Sequence, residues 1–539
     1  MRLWRKLLPL MVLVGTTFAW YGDSPNAQVC TPTGPQAELQ YLRRLSLDLR
    51  GHLPTVSEMK TVIKEGKVSE QTVDAMISSP QMLKQLRDYH KDLLWANISN
   101  IRLANNTWRL AGNGTSSPYY LTSQGRKRNY RGQNVRCLNK PAEFNSDGSI
   151  KTTPGIYKAA DGTEQPIQQE GYVMVKPYWS PNKAYKVCAF DAQDFLTVKS
   201  TANGRDYDCS RSSFTNRNQG KGCGCGPDLR WCMPYTVQRQ ILSALQEQTF
   251  RFIDGIIRDR KPYTQVITGQ TLEVNGPISH YLQHQTYIAT NLTHASPNPN
   301  HPVPKISYDQ VNKWTKVERS KLHAGVLTMP LFLLKFSSDR GRANRFYNVF
   351  LCSHFQAPPG GLPPAQDSCH DEPDLMKRCG CKYCHQTVEP TAAYWGRWSE
   401  AGMAPLNPEE YPAVSSFCKK MSNRYNQKCR RFYFYPNDDK EMRYLGHLIP
   451  YLFSTPTMKK NIETGPIALA QQSIDDGTFA SCTTRRMYNW FVGSKPHAQQ
   501  TSQILTLADK FKGSNYDLLG LIKSIVTSKE YRQGRLLNR

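Results

Sequence analysis

"RCGCKYCHQTVEP", residues 378–390, places three cysteines and a histidine within seven positions. Three chemistries use such a cluster. Cysteines in an oxidising compartment close disulfides. Cys379, Cys381, Cys384 and His385 also make a Cys3His donor set for zinc. Finally, Cys381-Lys382-Tyr383-Cys384-His385 matches C-x-x-C-H, the pattern of covalent haem attachment. Two thiols three apart on one helical turn can each form a thioether to a haem vinyl group, and the adjacent histidine presents a ring nitrogen to the iron. The crowded C-x-C-x-x-C-H spacing makes a tetrahedron from one short loop awkward, so zinc would normally borrow ligands from a second knuckle. Choosing among these readings depends on the compartment.

The N-terminus speaks to compartment. Arg2, Arg5 and Lys6 form a basic start, and Leu7–Ala19 is an apolar run too short for the roughly 20 residues that span a bilayer. This fits a secretory signal peptide over residues 1–27, with small residues at Thr17, Ala19 and Ala27 for cleavage. Val29 before Cys30 is a poor lipidation context. No later stretch is apolar enough to span a membrane, so the expectation is a chain exported to the periplasm or the cell surface and extracellular space. Fifteen cysteines in an exported chain are expected to be mostly disulfide-bonded. With two thiols on a haem one cysteine is left over, and Cys30 is the easiest to leave unpaired. Nearest-neighbour pairing would join Cys352 to Cys369 and Cys418 to Cys429, although pairing cannot be read from sequence.

The chain has 539 residues and a formal net charge of +26. That length is ample for several domains and a real core. The charge implies solubility and docking onto acidic partners: an acidic redox protein or an anionic envelope surface. The densest basic run, residues 125–136, holds one aromatic, too little for a nucleic-acid site. No G-x-S-x-G, H-E-x-x-H or P-loop is present, which removes the commonest hydrolase and nucleotide-binding constellations.

Periodicity predicts a mainly α, multi-domain protein. Residues 30–100 read as a helical domain: leucines 39, 42, 45 and 49 recur at helical spacing, Gly51 stops that helix, and Thr55 with Glu58 offers a capping box. A third helical stretch puts Met82, Leu83, Leu86 and Leu93 on one face. Residues 101–232 lack helical periodicity and carry six cysteines, which suggests an irregular, disulfide-rich α+β insertion. Cys223, Cys225 and Cys232 there are read as disulfide halves rather than zinc ligands. A helical middle domain follows over 233–350, with Ile241, Leu245, Phe252, Ile256 and Ile257 as its buried stripe. Residues 351–440 form the cytochrome c-like haem-binding segment, entered through the proline-rich 357–364. Residues 441–539 end the chain on helices around "TRRMYNWFVG" and "YDLLGLIKSIVTSKEYR".

Several segments, in order, resemble the planctomycete-type cytochrome family of exported multi-domain proteins. These are "YLRRLSLDLRGHLPT" (41–55), "DRKPYTQVITGQTLEVNGPISHYL" (259–282), the stretch from "HAGVLTMPLFLLKF" to "APPGGLPP" (323–364), "CKYCHQTVEPTAAYWGRWSEAG" (381–402), and the C-terminal "FASCTTRRMYNWFVGS" with "LLGLIKSIVTSKEYR". Residues 101–232 have no counterpart in it. Carried over residue by residue, the resemblance implies one covalent haem c on Cys381 and Cys384 with His385 on the iron, and Glu389 and Pro390 framing the turn. Glu389 stands where an aspartate is common. The family has no established substrate.

The expectation is therefore an exported electron-transfer protein. The alternatives are a haem-dependent oxidoreductase acting on peroxide or oxygen, and a non-catalytic, disulfide-rich envelope-binding protein. For the sixth iron ligand Met458 ranks first, after a proline and at a usual distance from His385; Met403, Met421, Met442 and His447 are further candidates. A methionine there raises the potential relative to two histidines. His280 and His284, four apart, read as packed or surface histidines rather than metal ligands.

Overall fold

The computed structural model describes residues 34–104, 108–122, 131, 135–199, 204, 206–210, 223–285, 303–354, 368–400, 402–437, 439–493 and 498–533. The expected signal peptide, Cys30 and the proline-rich 357–364 lie outside these residues, as does most of the basic run 125–136.

Helix α1 (Pro35–Arg50) buries Tyr41, Leu42, Leu45 and Leu49, one stripe at helical spacing. It ends at Gly51, whose left-handed φ of 76° closes the last turn. The capping box starts α2 (Val56–Glu65): Glu58 N–H donates to Thr55 Oγ1 at 3.2 Å and Thr55 N–H donates to Glu58 Oε2 at 2.7 Å. Helices α3 (Glu70–Ile77) and α4 (Pro80–Leu94) complete the unit. The face of α4 is rotated from the leucine pattern: Met82, Leu86, His90 and Leu94 are buried, while Leu83 and Leu93 are half-buried. A histidine occupies a core position there, which hydrophobic periodicity does not register.

His90 is buried, with Nδ1 2.6 Å from Leu86 O and Nε2 2.7 Å from Tyr263 Oη. Burial lowers its pKa to about 4. The unfolded imidazole takes a proton near pH 6.5, so the stability held by neutral His90 is present above that pH and lost as pH falls towards 4. Between pH 7 and pH 5 the loss is about 2 kcal/mol. Urea midpoints of the parent and His90→Gln, compared across that window, should show the variant flatter by this amount; parallel profiles would count against it.

The insertion contains short paired strands: β1 (Arg109–Ala111) with β2 (Tyr120–Leu121), β3 (Thr153–Lys158) with β4 (Glu164–Gln169), β5 (Tyr172–Val175) with β6 (Tyr185–Cys188), and β7 (Thr197–Lys199) with β8 (Asp206–Asp208), all antiparallel. β9 (Met233–Pro234) pairs parallel to β1. Disulfides Cys137–Cys188, Cys209–Cys223 and Cys225–Cys232 tie these pieces together. The three cysteines near 223–232 are thus disulfide halves, as their compartment predicts.

Helix α5 (Tyr235–Arg258) buries the whole predicted stripe. α6 (Gln265–Thr268) and the hairpin β10 (Thr271–Val274) with β11 (Thr315–Glu318) pack nearby, along with α7 (Gly276–His284) and α8 (Pro330–Lys335). Buried Arg319 binds this region through carbonyls, donating to Gly325 O at 3.1 Å and Gly269 O at 2.5 Å. Helix α9 (Asp339–Phe350) follows, then α10 (Lys382–Ala392), α11 (Gln427–Phe432), α12 (Pro456–Asp475), α13 (Thr478–Val492), α14 (Ala498–Gly513), α15 (Leu518–Val526) and α16 (Lys529–Gln533). The two chain ends meet: Tyr41 Oη donates to Val526 O at 3.0 Å and Arg44 Nη2 to Phe491 O at 2.8 Å. One hydrophobic cluster runs from Tyr41 to Tyr531, so the terminal helical segments share a core.

The remaining disulfides are Cys352–Cys482, Cys369–Cys379 and Cys418–Cys429. The nearest-neighbour pairing of Cys418 with Cys429 therefore holds, whereas that of Cys352 with Cys369 does not. α13 brings Cys482 to the end of α9 from 130 residues away, and sequence distance carries no information about that approach. No helix among the described residues is long and apolar enough to cross a membrane.

Candidate functional site

Cys381 and Cys384 stand outside all six disulfides. The third cysteine of the cluster, Cys379, is buried and bonded to Cys369, so it braces the loop instead of joining a donor set. Gly380, with φ 75°, turns the chain from that disulfide into α10. Cys381 sits at the N-cap, and its carbonyl accepts from Cys384 N–H at 3.1 Å and His385 N–H at 3.0 Å. Both thiols and the imidazole are therefore carried on a single helical turn.

Position 385 is four residues before Glu389, so the two side chains share a face. His385 Nδ1 lies 2.5 Å from Glu389 Oε1, and Arg340 Nε donates to the same oxygen at 2.5 Å. A carboxylate accepts hydrogen bonds, which assigns the proton to Nδ1 and leaves the Nε2 lone pair for another partner. Arg340 comes from the first turn of α9, and Asn461 of α12 donates to Pro390 O at 2.8 Å. Helices on both sides thus hold α10 in place.

The same face continues into a cavity of about 810 Å³, where Glu389 and Ala392 form part of the wall. Met376, Leu406, Phe432, Leu448, Phe453 and Met458 line it with apolar surface, and Arg340, Arg430 and Arg431 supply cationic groups. Cys381, Cys384 and His385 are not wall residues; they lie one to two turns along α10. Asp339 and Glu400 also border the cavity. Burial, reinforced by Glu400 and opposed by Arg342, holds the Asp339 carboxyl well above the usual range. A second cavity of about 570 Å³ shares Pro373, Asp374 and Phe453 with the first and includes Lys377, Arg443, Tyr444 and His447.

These positions sort the axial-ligand candidates. Met458 is buried and lines the main cavity. His447 lies in the adjoining lobe, and Met403 lines a separate small cavity with His323. Met421 and Met442 are exposed. His280 stacks on Tyr178 with ring centroids 3.7 Å apart, its Nε2 lies 3.1 Å from Arg230 O, and His284 packs against it. Burial lowers the His280 pKa to about 3, which describes a packed neutral pair.

The donor set fits a covalently held haem. Two thiols and an imidazole leave one turn of helix, and a largely apolar cavity within the range of about 300–1,000 Å³ usual for cofactor sites opens beside Glu389 and Ala392 of that helix, with three arginines and four carboxylates (Asp339, Asp374, Glu389 and Glu400) on its wall. Residue-by-residue reading singled out Cys381, Cys384, His385 and Met458 as candidates. It missed Arg340, Arg430 and Arg431, which reach the site only through folding. No protein-family model matches the chain, and neither does any curated protein or solved structure.

Proposed function

We propose that this chain is an exported c-type cytochrome-like protein that transfers electrons through one haem. In this reading Cys381 and Cys384 would hold the haem covalently, and His385 Nε2 and Met458 would supply ligands to its iron. When bound, it supplies a reversible one-electron couple. The observation that carries the reading is the joint placement of C-x-x-C-H: Cys381, Cys384 and His385 on one helical turn, on a helix whose Glu389 and Ala392 line a largely apolar cavity. His385 is oriented by Glu389. The six disulfides agree with an oxidising compartment, where haem attachment also takes place.

The resemblance to the planctomycete-type cytochromes agrees with this reading. An acidic redox partner is suggested by the net charge of +26 and by one strongly basic segment. Residues 411–437 contain Lys419, Lys420, Arg424, Lys428, Arg430 and Arg431 and no carboxylate, and Cys418–Cys429 closes much of that stretch into a loop. Such a cationic segment steers acidic proteins, an attraction that weakens with salt.

Protein made together with haem-maturation machinery should show a c-type pyridine haemochrome spectrum and a mass raised by one haem. The Cys381→Ser/Cys384→Ser variant should lose both. Absence of both from the parent protein would refute the proposal. The second lobe beside the main cavity, large enough for a small molecule, favours an oxidoreductase as the other reading. A high-spin ferric spectrum that shifts on adding cyanide would select it.

A further inference from the structure

Glu389 bonds His385 from inside an ion pair. Its Oε1 lies 2.5 Å from His385 Nδ1 and accepts from Arg340 Nε at 2.5 Å. The Glu389 side chain is 15% exposed and that of His385 24%, against 54% for Arg340. The carboxylate is thus the least exposed member of the three. A ring whose Nδ1–H is bonded to a carboxylate acquires imidazolate character, and its Nε2 becomes a stronger donor to a metal. A stronger anionic donor stabilises the higher oxidation state more than the lower.

We infer that Glu389 is a potential-setting residue: through His385 Nδ1 it lowers the reduction potential of the haem, and Arg340 moderates how strongly it does so. This rests on the haem reading above and adds a property which that reading leaves open. The two axial candidates then act in opposite directions, since Met458 favours the reduced state and the Glu389–His385 pair favours the oxidised one. The couple is a one-electron exchange in which no bond forms or breaks. Arg340 neutralises part of the carboxylate charge and competes for the same oxygen, so its removal strengthens the pull of Glu389 on the ring. The signs are therefore opposite. Glu389→Gln raises the potential, because a neutral amide oxygen is a weaker acceptor, and Arg340→Met lowers it.

The experiment is redox potentiometry on the holoprotein and its variants. In Glu389→Gln the equilibrium between oxidised and reduced protein should move at least tenfold towards reduced, a shift of about 59 mV for one electron. Arg340→Met should move it in the opposite direction. Glu400→Gln removes a carboxylate from the same cavity wall, one whose bond is to Asp339 N–H at 2.9 Å and not to His385, and should move it by less than threefold. Resonance Raman of reduced Met458→Ala, with His385 then the sole protein axial ligand, should show an iron–imidazole stretch that falls in frequency when Glu389→Gln is added. A through-space charge would leave that band in place. A parent protein without a haemochrome spectrum overturns both proposals. A haem-loaded parent whose potential is unchanged in Glu389→Gln, or changed as much in Glu400→Gln, overturns this one and leaves electron transfer standing.

Discussion

Replacing Arg131 by methionine is expected to destabilise the insertion by about 3–5 kcal/mol, the usual loss when one partner of a buried ion pair is removed. Arg131 sits at the centre of a charge triad with no exposed side-chain surface: Nε is 3.0 Å from Glu170 Oε1 and Nη2 is 2.6 Å from Asp191 Oδ2. Asp191 also accepts from Leu121 N–H at 3.1 Å, and Arg131 Nη1 donates to Val135 O at 3.2 Å. One side chain thereby joins strand β2, the turn after β6 and the chain leading to Cys137. Methionine preserves much of the volume but leaves two carboxylates buried together, and desolvation of an uncompensated charge exceeds any packing gained. Urea unfolding, with hydrogen exchange locating the loss to residues 108–232, measures the effect. Adding Glu170→Met and Asp191→Asn should recover most of the stability, because the buried charge is then gone. A single-variant loss below about 1 kcal/mol would mean the triad is accessible to water.

Opening Cys352–Cys482 should have the other large effect. This disulfide closes the longest ring among the described residues, 130 residues apart in sequence. Chain-entropy reasoning puts its contribution at about 5 kcal/mol, since cross-linking removes the largest loops from the unfolded ensemble. The Cys369–Cys379 and Cys418–Cys429 rings lie inside the same stretch and already restrain it, so the observed loss should fall somewhat below that value. Cys352→Ser/Cys482→Ser, unfolded in urea beside the parent, tests this. The native fold should survive, because Arg486 Nε still donates to Val349 O at 3.0 Å and keeps α13 against α9. A loss under about 1 kcal/mol would place the stabilisation in the packed helices rather than the cross-link. The ring encloses α10 and every residue of the cavity wall except Asp339 and Arg340, so its opening should also loosen the site.

The helices legible in sequence are those whose cores follow a simple rule. α1, α5, α13 and α15 bury apolar residues at helical spacing, and α1, α2 and α13 end on glycines with positive φ. α9 escapes that rule because Asp339, Arg342 and Arg345 are buried in it. Arg342 donates to Asp339 Oδ1 at 2.8 Å and Ser399 O at 2.9 Å, so a polar residue occupies a core position that periodicity reads as surface. α12 escapes for a different reason. Gly465, with φ 71° and ψ −180°, kinks it before Pro466, and the two halves present different faces.

The same division applies to the candidate site. Cys381, Cys384 and His385 are legible because their geometry is local: three and four residues along one helix determine which side chains lie together, whatever else the chain does. Glu389 is legible by the same spacing. The sequence by itself thus determined the candidate cluster of Cys381, Cys384 and His385 and most of the helices, where a turn of backbone relates the residues involved. Arg340, Met458 and the arginines of α11 reach the cavity from 45 to 73 residues away from His385, and Cys482 reaches Cys352 across 130. Only packing decides such meetings, because apolar burial drives helices together without regard to sequence separation, and the polar groups that meet are those left facing each other.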